Sequence, residues 1–108
     1  MDKRSKSEQM EGAAGRASTL MKTLGHSGRL MILCNLADGE CSVGDLAARL
    51  EMSQSSLSQH LARMRNEGLV KARRESQTVY YSLVKGEAQS IIESLYEIYC
   101  PLNDTTRL

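Results

Sequence analysis

The sequence predicts a mainly α (α+β) domain with five helices, built as a helix-turn-helix followed by a β-hairpin wing. Three observations carry this expectation. Val43, Leu46 and Leu50 recur at helical spacing in a short segment, and a turn at Glu51 and Met52 separates it from a longer helical segment, Ser53 to Gly68. After Gly68 the period changes: LVKA and TVYYSL are rich in β-branched and aromatic residues and flank the polar stretch RRESQ. The apolar residues are Leu, Ile, Val, Ala and Met, with no Phe or Trp, which is the usual filling of helical cores.

Taken in order, residues 1–8 are polar and are expected to form a disordered tail. A domain over 9–103 follows. Its first helix is marked by Met10, Ala13, Ala14, Ala17, Leu20, Met21 and Leu24, and Gly25 suits its end. A second helix covers about Ser27 to Leu36, with Leu30, Leu33 and Cys34 on or near one face, until ADGE breaks it. Ser42 suits the N-cap of the short third helix, with Asp45 three residues on as a variant capping box. Ser53 suits the cap of the fourth. In the last helix, Gly86 to Leu102, the positions Ala88, Ile92, Leu95, Tyr99 and Leu102 alternate spacings of four and three, a heptad seam that Pro101 brings to its end. Residues 104–108 are expected to be a C-terminal tail.

At 108 residues the chain is one domain, and it buries only about two-thirds of its unfolded surface, so a second copy would supply burial that a monomer lacks. No apolar run approaches the roughly 20 residues that span a bilayer, and the charged start MDKRSKSEQM is not followed by a signal-peptide core. A cytoplasmic protein without a membrane partner is expected. There, three cysteines are poor candidates for a permanent disulfide framework. Core thiols, metal ligands and redox thiols all stay open.

The net charge of +1 is uninformative, but its distribution is not. Between His60 and Thr78 lie Arg63, Arg65, Lys71, Arg73 and Arg74 against only Glu67 and Glu75, a local basic stripe suited to DNA. At about 100° per residue, Leu57, Leu61 and Met64 share one side of the fourth helix. Ser55, Ser58, Gln59, Ala62, Arg63 and Asn66 share the other, with Ser56 at its edge. Short polar groups enter a major groove without clashing, and Gln and Arg can bond base edges bidentately. Ser53 and Gln54 stand where free backbone N–H groups meet phosphate. Arg73, Arg74, Gln77 and Thr78 would lie along the backbone or minor groove as a wing. Alone, SQSSLSQH reads equally well as a solvated helix face; the short helix before it and the basic hairpin after it favour DNA.

The segments SGRLMIL, SVGDLAARL, MSQSSLSQHLARMRNEGLV and RRESQTVYYSL together resemble the ArsR/SmtB family of winged-helix repressors, over about Leu20 to Cys100. The resemblance implies a homodimer through the first and last helices that binds a palindromic double-stranded operator. It also allows the family's metal sites to be tested. A family metal site resembles ELCVCDL, and here the stretch is ECSVGDL, with Ser42 and Gly44 in the cysteine positions and Cys41 one residue early. Lys85, Glu87 and Ile98 replace ligands of a second site. No metal and no cofactor are expected.

Cys34 and Cys100, 66 residues apart in the contexts ILCNL and YCP, resemble the persulfide-sensing BigR/SqrR subgroup and the related HlyU regulators. That resemblance implies a repressor that binds DNA when reduced and is released when persulfide or polysulfide links the two sulfurs, with reactive sulfur species as inducer. Local context does not by itself argue for reactivity: an apolar helix interior and a helix C-terminus both disfavour a thiolate. Cys41 reads as a loop bystander or a third thiol. The alternatives are a repressor responding to peroxide, other electrophiles or a thiolate-binding metal or metalloid, and a DNA-binding protein with no thiol switch. A thiol oxidoreductase would need a CxxC motif, which the chain lacks.

Overall fold

The structure, a computed structural model, describes residues 3–101. The first helix, α1 (Lys6–Leu24), begins inside the stretch 1–8 expected as a tail. The reason is a capping box: the Ser5 hydroxyl accepts from the Glu8 N–H at 3.2 Å, and the Glu8 carboxylate accepts from the Ser5 N–H at 2.9 Å. That backbone hydrogen bond holds the Glu8 carboxyl below its ordinary range. The S-x-x-E pattern was present in the sequence. The expected tail at 104–108 lies outside the described residues.

Helix α2 (Ser27–Ala37) follows a single bend at Gly25 and His26, whose imidazole Nδ1 accepts from the Gly28 N–H at 3.1 Å. It runs through the middle of the domain. Ile32 and Leu33 are wholly buried, and Leu20 and Leu24 from α1 pack into the same cluster. After Gly39 the chain forms a two-residue strand, β1 (Cys41–Ser42), which was not anticipated. Ser42 then caps α3 (Val43–Leu50), its hydroxyl accepting from the Asp45 N–H at 3.1 Å. Glu51, with φ of 51°, turns the chain through the left-handed region into Ser53, the cap of α4 (Gln54–Asn66). Leu46 of α3 and Leu57, Leu61 and Met64 of α4 close the core.

The hairpin consists of β2 (Val70–Glu75) and β3 (Thr78–Leu83), antiparallel, with Glu75 opposite Thr78. Only Ser76 and Gln77 form its tip, and Ser76 takes a φ of 56°. RRESQ is therefore mostly strand, because the alternation of side chains continues through the arginines to the turn. The sheet order is β1-β3-β2, with Cys41 opposite Tyr81 and Ser42 opposite Tyr80. Cys41, expected in a loop, is buried in the core cluster.

Helix α5 (Glu87–Tyr99) completes the five helices. Its expected seam divides. Ala88 and Ile92 are buried within this chain, whereas Tyr99 is 78% exposed, and Leu102 lies outside the described residues. Ile91, Leu95 and Ile98 form an adjoining stripe on α5, with Ile91 packed against the core cluster and Ile98 exposed. Large apolar side chains also stand exposed on α1, at Met10 and Met21. None of the described helices is long and apolar enough to cross a membrane.

Candidate nucleic-acid interface and thiol cleft

Helix α4 presents the side that the sequence assigned to DNA. Ser55, Ser58, Gln59, Ala62 and Asn66 are exposed, Ser56 is half-buried, and Leu57, Leu61 and Met64 face inward. The Ser53 hydroxyl accepts from the Ser56 N–H at 3.1 Å, so its side chain serves the helix start rather than projecting outward. Gln54, Ser58, Gln77 and Thr78 line one groove between α4 and β3, together with Ser42 and Gly44 at the start of α3. The fold thus brings the two predicted halves, helix and wing, to one concave surface.

The two arginines of the wing are not equivalent. Arg73 and Arg74 sit on strand β2, not at the tip, and alternate across it. The Arg73 guanidinium donates to both carboxylate oxygens of Glu40 and to Glu75, each at 2.8 Å, and lies 4.6 Å from the centre of the Tyr80 ring. Its pKa is raised above the ordinary arginine value by those carboxylates, chiefly Glu40. A bidentate pair of this kind is directional. Arg73, expected beside DNA as an equal of Arg74, is engaged in fixing the wing to the turn before β1. Arg74 is exposed.

A second polar cluster fixes the far end of α4. Arg63 donates to Glu67 at 3.2 Å, and the buried Thr23 hydroxyl donates to the same carboxyl group. Arg29 of α2 donates to the carbonyl oxygens of Thr23 at 2.9 Å and Lys22 at 3.2 Å, which end α1. Beside it the rings of His26 and His60 meet with centroids 4.7 Å apart. Burial, together with the charges of His26, Arg29 and Arg63, lowers the His60 pKa. Arg63 is paired with the residue that ends its own helix and stays exposed on the face expected at DNA.

The thiols occupy a different part of the molecule. Cys34 is half-buried on α2 and opens onto a cleft of about 650 Å³ between α2 and α5. Met31, Asn35 and Asp38 form one wall; Ile92, Glu93, Tyr96 and Glu97 form the other. Cys100 follows α5 as its C-cap, its N–H donating to the Tyr96 carbonyl at 2.8 Å. It ends the helix whose residues form the second wall, near enough for its thiol to act on Cys34. Burial raises the Cys34 pKa first; the charge of Asp38 and then the nearby Cys100 thiol add to it. Cys41 lies apart, enclosed by the core. Among the described residues, no three His, Cys, Asp or Glu side chains gather as a metal-ligand set.

The sequence reading missed Glu40 as the partner of Arg73, and missed the carboxylates Asp38, Glu93 and Glu97 around Cys34. The second set had a signal: Glu93, Glu97 and Cys100 share one side of α5 at spacings of four and three.

Comparison with known proteins places this geometry. Residues 26–72 match the family described as "Bacterial regulatory protein, arsR family". The Vibrio cholerae protein "Transcriptional activator HlyU" is 49% identical over 89% of each chain. The structure titled "Reduced HlyU" from the same organism superposes with a TM-score of 0.81, covering 86% of this chain and 98% of that one at 49% identity. The Xylella fastidiosa transcriptional repressor BigR superposes with a TM-score of 0.83, covering 89% of this chain and 98% of that one at 38% identity.

Proposed function

The chain belongs to the arsR family of bacterial regulatory proteins, and from that premise we propose a dithiol-gated transcriptional repressor. As a homodimer through α1 and α5 it binds a palindromic operator when reduced, with the α4 face and the wing at the DNA. Ser55, Ser58 and Gln59 address base edges, Ser53 and Gln54 sit at the phosphate-facing start of α4, and Arg74, Gln77 and Thr78 follow the backbone. Persulfide closes a bond between Cys34 and Cys100. One thiolate attacks the sulfane sulfur of RSSH, giving a protein persulfide and releasing RSH. The second thiol then displaces sulfide, so two thiols and one RSSH become a disulfide, RSH and hydrogen sulfide.

The observation that carries this reading is the pairing of positions. Cys34 opens onto a cleft, Cys100 caps the helix that forms the facing wall and is near enough to act on the Cys34 thiol, and Cys41 is removed from both by burial. A bond there would tie α2, in the core, to the end of a dimer helix. It would bias the angle between protomers and so the spacing of the two α4 helices, which must match successive major grooves. The name of the Xylella fastidiosa relative, a transcriptional repressor, supports the sign of regulation proposed here, whereas the Vibrio cholerae HlyU is named a transcriptional activator.

The test is operator binding by fluorescence anisotropy at fixed salt, since phosphate contacts make affinity salt-dependent. Reduced protein should bind, persulfide-treated protein should leave, and Cys34→Ser or Cys100→Ser should stay bound after treatment. A double-serine variant that still leaves the operator on persulfide would overturn the proposal. Peptide masses after treatment distinguish sulfur addition from plain loss of hydrogens, the mark of another oxidant.

A further inference from the structure

We propose that the cleft between α2 and α5 selects the charge of the thiol-reactive molecule that reaches Cys34, admitting neutral or cationic carriers and disfavouring anionic ones. This deepens the sensor reading and rests on Cys34 being its reacting thiol. Three carboxylates, Asp38, Glu93 and Glu97, stand around the cleft, and no lysine or arginine is among its described lining residues. Met31 and Ile92 give it an apolar component. The carboxylates come from both walls, so an entering molecule meets negative charge on either side. The space, about 650 Å³, holds a small organic molecule but not a folded partner.

The same charge acts on reagent and thiol differently. On the thiol it disfavours the thiolate, slowing every electrophile alike. On the approaching molecule it acts through that molecule's own charge, and so separates reagents that attack by one chemistry. A peptide persulfide carrying free carboxylates would be excluded relative to a neutral or zwitterionic carrier of the same sulfane sulfur. The local basic stripe of Arg63, Arg65, Lys71, Arg73 and Arg74 lies elsewhere, on α4 and the wing, so DNA phosphate and an inducer would meet surfaces of opposite sign.

Methanethiosulfonates isolate the effect, because neutral methyl, cationic trimethylammonioethyl and anionic sulfonatoethyl reagents share one leaving group. In each, the Cys34 thiolate attacks the sulfenyl sulfur. A mixed disulfide forms, the bond between the sulfenyl and sulfonyl sulfurs breaks, methanesulfinate leaves with the electron pair, and the thiol proton goes to water. Rates at Cys34 are read by peptide mass spectrometry on the full-length reduced protein and normalised to a neutral cysteine peptide. We expect the cationic reagent to exceed the anionic one by about tenfold at low salt, where screening reaches beyond 10 Å. Asp38→Asn combined with Glu97→Gln should shrink the ratio several-fold. Equal normalised rates for all three reagents, or a ratio that the double variant leaves unchanged, would overturn the proposal. Should that variant fold poorly, Glu93→Gln, at an exposed position, supplies the same comparison. Anisotropy after persulfide treatment is read separately. Charge-ordered labelling without operator release would leave the selectivity standing and remove the sensor reading; release without charge order would do the reverse.

Discussion

The outer face of α4 and the α2–α5 cleft are both built on helices, yet the fold treats them in opposite ways. On α4 the exposed groups are short, uncharged or basic, and the helix would fold without them, because Leu57, Leu61 and Met64 hold it from behind. In the cleft the key group is half inside the core, and the surrounding charges are acidic. A surface that must read a large rigid polyanion can be added to a finished helix. A thiol proposed to change the shape of the domain would have to sit where the domain's packing can feel it.

The sharpest way to probe this contrast is to substitute the two sides of α4. Leu57→Ala, on the inner side, should lower unfolding free energy by about 2–5 kcal/mol in urea titration, since a fully buried leucine leaves a cavity. Gln59→Ala, two residues on, should leave stability within about 0.5 kcal/mol. It should instead weaken specific operator binding by about 1–3 kcal/mol in anisotropy, with little change on nonspecific DNA. A stability loss at Gln59 comparable to that at Leu57 would erase the distinction between the two sides.

The cleft should respond to pH where α4 does not. Alkylation of Cys34 by neutral iodoacetamide should rise with pH to a midpoint above the ordinary thiol value, because burial and then Asp38 disfavour the thiolate. Asp38→Asn should move that midpoint down. A midpoint at or below the ordinary value would contradict the environment described for the thiol.

The smallest expected effect lies outside both regions, at His60 against His26. The folded pKa of His60 is lowered from its ordinary 6.5, so between the two values the unfolded chain binds more protons than the folded one. Stability should therefore fall as pH drops below about 6.5 and level off beneath the folded pKa. His60→Gln should flatten that slope in thermal melts at pH 7 and pH 5.

Much of the α4 side was legible in the sequence, and less of the rest. Caps at Ser42 and Ser53 and the inner face Leu57, Leu61 and Met64 follow from local rules, since both cap hydrogen bonds and helical periodicity span only a few residues. Arg73 did not follow, because its partner Glu40 is 33 residues away and no local pattern links them. The seam on α5 was read as one stripe; in three dimensions Ala88 and Ile92 belong to this chain's core, while Tyr99 stays outside. Periodicity says that residues share a face and not what covers it. The same limit hid β1, whose two residues become a strand only by meeting Tyr80 and Tyr81.

That short strand has a mechanical consequence. Through β1 the hairpin is paired at the middle of β3 with the residue that caps α3. Helix-turn-helix and wing are therefore one stiff reading head, without a hinge between them. In the proposed homodimer, strain arriving from α1 and α5 would have little to bend within such a head and would move one head against its twin. Such a pair would behave as a caliper, and what an inducer would change is the gap between its jaws.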